Sequence, residues 1–169
     1  MPDEPTFVKS RPIAGDNRNS VLLKLNSVRH FYRVKDTQRY NEKKDALVWR
    51  GGATQPHRMR FLQRCHDSRH CDIGTTDNKA VTAAFHKPFM SIERQLDYKF
   101  IFSIEGNDVA TNLKWIMASN SLCFMKRPVY ETWFMEGTLI PGYHYVLVKD
   151  DFSDLDSKVE YYLAHPDQR

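Results

Sequence analysis

The sequence predicts an α/β protein built on a Rossmann-like parallel sheet with flanking helices. Three observations carry that expectation. Tyr98 to Ile104 is an unbroken run of apolar, aromatic and β-branched residues, the pattern of a strand buried on both faces. The polar turn Glu105-Gly106-Asn107-Asp108 breaks it, and Val109, Leu113, Ile116 and Met117 then recur at helical spacing until Ser119-Asn120-Ser121. From residue 98 onward the order reads β-α-β-α-β-α, which predicts parallel strands with helices packed on them.

The elements follow in order. Residues 1–20 are polar and punctuated by Pro2, Pro5, Pro12 and Gly15, so they read as an extended lead-in. Residues 21–34 are amphipathic, with features of both helix and strand, and 36–45 read as a surface loop or short helix. Residues 1–45 are therefore an extended, linking segment, and 46–169 form the Rossmann-like domain. Ala46 to Arg50 is a short buried strand stopped by Gly51-Gly52. A helix follows, capped by Thr54 or Gln55, with Pro56 in its first turn. Met59, Leu62 and Cys65 face the core, and Arg58, Arg60 and Arg64 lie on more exposed sides. Cys71 to Gly74 is another strand end. Residues 75–97 are irregular, with helical character from Ser91 to Leu96. A further strand spans 121–125. Pro128 precedes a short helix from Glu131 to Glu136, stopped by Gly137. Tyr143 to Val148 is a strand, and Ser153 opens a last helix with Asp156 in a capping-box position.

Composition narrows the class. A chain of 169 residues with 41% hydrophobic and 27% charged residues is a single folded domain, not a disordered one. A net charge of +4 suits an anionic ligand or a membrane surface and is too small to indicate nucleic acid. The aromatic residues are not interleaved with Lys and Arg on one strand pair, which also argues against a nucleic-acid platform. No apolar run is long enough to span a membrane, and the first residues have no signal-peptide core. Three cysteines, an odd number, fit reduced thiols in a cytoplasmic setting.

Candidate site residues cluster at strand ends, where α/β sheets hold ligands. Gly106 lets a ligand approach the turn. The N–H groups that follow Asn107 and Asp108 meet a diphosphate, with Thr111, Asn112 and Lys114 as side-chain donors. In the plain reading this is a strand-to-helix connection capped by Asn107 or Asp108. The motif is neither GxGxxG nor a P-loop. Arg50, Gly51 and Arg58 form a second strand-end site, where guanidinium forks match phosphate oxygens. Glu131 offers a carboxylate to ribose hydroxyls. Cys65-His66 and His70-Cys71 are poorly spaced for zinc. Asp154-Leu155-Asp156 reads as first-turn helix acids before it reads as a metal motif. No Ser/His/Asp or Cys/His set emerges, and no metal site is expected.

These residues, taken as ordered blocks, resemble the bacterial lipopolysaccharide-core branch of glycosyltransferase family 90, which also contains protein O-glucosyltransferases. The blocks are PTFVKSRPI at 5–13, SVRHF at 27–31, LVWRG at 47–51 with Arg58, and DIG at 72–74. YKFIFSIEGNDVATNLKWIMASNSL at 98–122, ETWF at 131–134 and HYVLVKDDFSDL at 144–155 complete the set. The resemblance implies the donor-binding half of a GT-B enzyme, trimmed at both ends. It implies an inverting, metal-independent transfer of a hexose from a UDP-sugar to a lipopolysaccharide or lipooligosaccharide core acceptor, with no cofactor. It places the protein in the cytoplasm, with peripheral contact at the inner membrane. It puts Arg58 on the diphosphate and Gly106 to Lys114 around the phosphate and sugar. Two departures stand out. The arginine of eukaryotic members is Asn112 here, with Lys114 nearby. No aspartate before Arg50 sits in the context of the family's catalytic base. The alternative is a nucleotide-sugar-binding remnant without catalysis.

Overall fold

A computed structural model describes residues 2–24 and 34–168. Most of the ambiguous stretch 21–34, and the block at 27–31, lie outside them. Nine strands are numbered in chain order: β1 Thr6–Val8, β2 Arg11–Pro12, β3 Ser20–Leu22, β4 Lys44–Gly51, β5 Cys71–Thr75, β6 Tyr98–Ser103, β7 Leu122–Met125, β8 Tyr130–Glu131 and β9 Val146–Leu147. Among the described residues the α-helices are α1 Pro56–Cys65, α2 Ile92–Gln95, α3 Leu113–Met117 and α4 Leu155–Ala164.

The central sheet has five parallel strands in the order β5-β4-β6-β7-β9. β6 lies in the middle, and its sequence explains why. Phe100, Ile101 and Phe102 are each fully buried and alternate between the two faces. Phe100 and Phe102 join Leu47, Trp49, Phe61, Phe124, Leu155 and Val159 beneath α1 and α4. Ile101 joins Val48, Leu113, Trp115, Ile116 and Cys123 on the α3 side. Two helical layers therefore enclose one sheet, as the continuous apolar runs require. Phe61 stacks on Phe102 at 4.4 Å and meets Trp49 edge-on at 5.6 Å, which fixes α1 against the strands.

The lead-in contains short strands. β1 pairs with β3 in parallel, and β2 pairs antiparallel with β8. Four expectations need correction. The helical spacing from Val109 yields a helix only from Leu113. Glu131 to Glu136 is not a helix: Glu131 ends β8, and a short 3-10 turn occupies Glu136–Thr138. The expected strand at Tyr143 to Val148 contracts to Val146–Leu147, because Ile140 to Tyr143 forms a turn and Tyr143 is exposed. The last helix also starts one residue later than expected, with Asp154 at its N-cap and no side-chain cap bond.

The β5 edge is held by a polar cluster. Asp72 accepts hydrogen bonds from Arg50 of β4 at 2.7 Å, Lys87 at 2.8 Å and the Tyr98 hydroxyl of β6 at 2.7 Å. Burial alone would raise its pKa, but the hydrogen bonds from Lys87, Tyr98 and Arg50 hold it well below the usual carboxylate range. A depressed folded pKa means that this stability is present above the unfolded carboxylate pKa and is lost as pH falls through the folded one. Asp72→Asn is expected to cost about 2 kcal/mol at pH 7. The gap to wild type should narrow below about pH 4. Urea unfolding between pH 3 and 7 checks this, and a gap constant across the range would contradict it.

Candidate functional site

The sheet order places a topological switch between β4 and β6. The chain leaves β4 towards β5 on one side and returns to β6 on the other. A crevice therefore opens at the carboxyl ends of these two strands, the usual ligand position in open α/β sheets. Gly51-Gly52 lies on one side and Ile104-Glu105-Gly106 on the other.

Arg58 bridges them. It sits in the first turn of α1, which Pro56 starts after Gln55, and its side chain folds back to the strand ends. Its Nε donates to Glu105 O, Nη2 to Ile104 O and Nη1 to Gly52 O, each at 2.9 Å. These carbonyls lie past the sheet ladder and need partners. Three of the five N–H groups of Arg58 are thus committed, and two remain. His57 Nε2 lies 2.7 Å from the same Glu105 carbonyl, so its tautomer carries the proton there. Burial lowers the Arg58 pKa and Asp77 opposes the shift, so the guanidinium stays charged. A Cβ at Gly106 would stand 3.2 Å from Arg58 Nη2, which is why glycine occupies this close approach.

Two cavities flank this bridge. The first, about 500 Å3, lies between the β4 and β6 ends and is lined by Arg50, Gly51, Arg58, Thr111 and Asn112, with Trp49, Trp115 and the exposed Phe89. The second, about 310 Å3, lies beyond the glycine turn towards β7 and is lined by Glu105, Gly106, Asn107, Val109, Met125 and Glu136 among others. Ile104 borders both.

The two carboxylates of the smaller cavity differ. Glu136 is buried, and its oxygens are taken by Lys114 Nζ at 2.9 Å, Thr132 N at 2.6 Å and the Thr132 hydroxyl at 2.9 Å. Glu105 Oε1 accepts from the N–H groups of Val129 and Tyr130 at 3.0 Å each. Burial pushes its carboxyl up, and those two N–H groups and Lys126 pull it back.

The residues singled out in the sequence divide into three groups. Arg50, Gly51, Arg58, Thr111 and Asn112 meet at the larger cavity, and Gly106 and Asn107 at the smaller. Asp108, Lys114 and Glu131 line neither. Asp108 accepts from Lys9 at 2.5 Å and Ser10 at 2.8 Å. Lys114 is buried against Glu136. Glu131 is held by Arg11 at 2.9 Å. Within the first group, Arg50 gives its Nη atoms to Asp72 and two carbonyls, and Asn112 bonds Phe102 O and the Ser103 hydroxyl. Contrary to expectation, Arg58 is drawn inward while Arg60 and Arg64 stay exposed. Since α3 has only five residues, no long helix dipole points at the turn. Glu105, Glu136 and His57 escaped the sequence reading; an acid directly before the strand-ending glycine was the available signal for Glu105.

Elsewhere, burial pushes the Cys65 thiol up to about 12 and raises Cys71 and Cys123 as well, so none is a ready thiolate. Among the described residues no three His, Cys, Asp or Glu side chains gather into a metal-holding group. No helix among them is long and apolar enough to cross a membrane.

A parallel α/β sheet with an arginine-braced glycine turn and paired cavities at its switch point has the layout of a ligand-binding α/β domain. Comparison with known proteins names the family. Residues 22–169 match the model of Glycosyl transferase family 90. The chain is also 54% identical over 167 residues to the O-glucosyltransferase LpsA of Dichelobacter nodosus, covering 99% of this chain and 52% of that protein. The chain belongs to glycosyl transferase family 90. It spans about half the length of the curated relative it matches.

Replacing Arg58 tests the brace. Arg58→Lys keeps the charge but cannot reach three carbonyls in a fork, and should cost about 2 kcal/mol in urea unfolding. Amide hydrogen exchange should quicken first at residues 105–108. Unchanged stability and exchange would contradict the assignment.

Proposed function

We propose that this chain is the nucleotide-sugar-binding domain of a glycosyltransferase. It holds a UDP-sugar at the switch point of its sheet, for inverting, metal-independent transfer of a hexose to a hydroxyl of a lipopolysaccharide core saccharide. The observation that carries this reading is the Arg58-braced crevice with a cavity on each side, in a chain that belongs to glycosyl transferase family 90. The name of the Dichelobacter relative, an O-glucosyltransferase, favours glucose as the sugar. The branch that the sequence blocks resemble supplies the acceptor class, the GT-B architecture and the site of action at the cytoplasmic face of the membrane.

The chemistry assigns roles within this reading. Arg58 keeps two N–H groups beyond its carbonyl bonds, enough to meet diphosphate oxygens from a fixed position. A donor fixed before the reaction costs no reorganisation as charge grows on the leaving diphosphate. Gly51 and Gly106 present bare backbone on either side. Thr111 lines the larger cavity and offers a hydroxyl to the sugar or phosphate. Asn112 and Arg50 act on the walls: Asn112 fixes the start of α3 to β6, and Arg50 fixes β4 to β5. Asp108, Lys114 and Glu131 hold the surrounding loops through Lys9, Glu136 and Arg11. Inversion further requires a base on the acceptor hydroxyl.

Calorimetric titration with UDP-glucose tests the donor reading. Wild type should bind, and Thr111→Phe, which fills the larger cavity while leaving Arg58 in the sequence, should weaken binding at least tenfold, about 1.4 kcal/mol. Equal affinity in both, or no binding by a folded wild type, would overturn the assignment. Binding without transfer to any saccharide would favour the binding-only alternative.

A further inference from the structure

The larger cavity does not end at Arg50. Arg50 and Phe89 line it and also line an open groove of about 570 Å3 that continues from it. The groove passes Pro88 to Ser91 and reaches the amino ends of β4 and β6, where Lys44, Asp97 and Tyr98 line it together with Arg94. Its charged residues are largely engaged. Lys44 and Arg94 share Asp97, at 4.0 and 3.8 Å, and the Nη atoms of Arg50 are held by Asp72 and two carbonyls.

Phe89 stands on the divide between cavity and groove and is 81% exposed. A lone exposed apolar residue is ordinary. Here the chain is tied down on both sides of it. The Lys87 N–H donates to Thr75 O at 2.9 Å, and Lys87 Nζ donates to Asp72 at 2.8 Å. Met90 packs against the core on the α3 side, and its carbonyl accepts from Gln95 Nε2 at 3.1 Å. Pro88 restricts the backbone between these ties. A short, fixed loop therefore displays an aromatic ring to solvent beside the site. Glu93, on the same side of the larger cavity, supplies a polar companion. Hydrogen bonds from its own N–H and from the Ser91 hydroxyl hold its carboxyl below the usual range, so it remains an ionised acceptor. An exposed ring next to a carboxylate is complementary to a pyranose, which has an apolar C–H face and a rim of hydroxyl donors.

We propose that Phe89 and Glu93 form a saccharide subsite for the acceptor. A pyranose ring lies flat on Phe89, its hydroxyls donate to Glu93, and the rest of the oligosaccharide follows the groove towards Lys44 and Arg94. The inference rests on the glycosyltransferase reading and adds to it the place where the acceptor is held. That place follows from the continuity of the two spaces. A sugar stacked on Phe89 stands at the mouth of the cavity assigned to the donor hexose, so the two substrates meet there. Stacking on one exposed ring discriminates poorly between hexoses, and the carboxylate adds a preference for hydroxyls on the side that faces it.

The test titrates maltose, cellobiose and lactose into the full chain with UDP present and follows amide chemical shifts, while calorimetry measures UDP-glucose binding. At least one disaccharide should bind wild type and move the amides of residues 89–94. Phe89→Ala should weaken that disaccharide about tenfold, well beyond any loss of UDP-glucose affinity. Phe89→Trp, which keeps an aromatic face, should restore it, and Glu93→Gln, which removes the charge, should weaken it. A merely structural role for Phe89 would weaken both ligands alike and leave their ratio unchanged. Three outcomes would overturn the proposal while leaving the donor reading standing: no disaccharide binding by wild type that binds UDP-glucose, shifts confined to residues away from 89–94, or an unchanged ratio in Phe89→Ala. No binding of UDP-glucose by folded wild type would overturn the donor reading and this proposal with it.

Discussion

The hydrogen bonds of Arg58 to three main-chain carbonyls are the constraint on which the rest of the site depends. Parallel strands end with carbonyls pointing past the ladder, and at a switch point the two central strands have no crossover between them to cover those groups. In this chain a guanidinium from the first turn of α1 binds Gly52, Ile104 and Glu105 together. A fixed positive charge thereby stands where the strand ends converge, and the backbone turn at Gly106 is drawn close against it. Helix, strands and turn cannot shift independently while these bonds hold.

The surroundings follow from that placement. A side chain at Gly106 would press on the Arg58 guanidinium, and the turn that this glycine makes separates the wider cavity from the narrower one. Three carboxylates near the crevice are neutralised in pairs by residues distant in the sequence: Asp108 by Lys9, Glu131 by Arg11, and Glu136 by Lys114. These pairings keep negative charge from accumulating beside a site proposed for a diphosphate. They also fasten the lead-in, whose β2 pairs with β8, across the loops after β6 and β7.

Much of the sheet was legible in the sequence because a strand buried on both faces carries its own signal. Phe100 to Phe102 could hardly lie elsewhere, and Gly51-Gly52 before Pro56 marks a strand-to-helix turn. Legibility failed where periodicity records burial but not backbone. Val109 is buried at helical spacing from Leu113, yet it lines a cavity and the helix starts four residues later. Glu131 looked like a helix-start acid because its partner, Arg11, lies 120 residues away. The alternation of Tyr143 to Val148 overstated β9, since Gly142 adopts a left-handed φ of 77° and turns the chain just before it. The inward course of Arg58 was invisible for a similar reason: nothing local shows that three carbonyls converge on one helix turn.

Amide chemical-shift mapping by NMR with UDP-glucose tests the central claim most directly. The largest changes are expected at Gly51, Gly52, Gly106, Asn107 and Val109, around the Arg58 brace. The opposite end of the sheet holds an open cavity of about 520 Å3 lined by Arg39, Tyr40, Asn41 and Ser119 to Leu122, which serves as an internal control. Shifts centred on those residues, with the strand ends at Gly51 and Gly106 unmoved, would contradict the account.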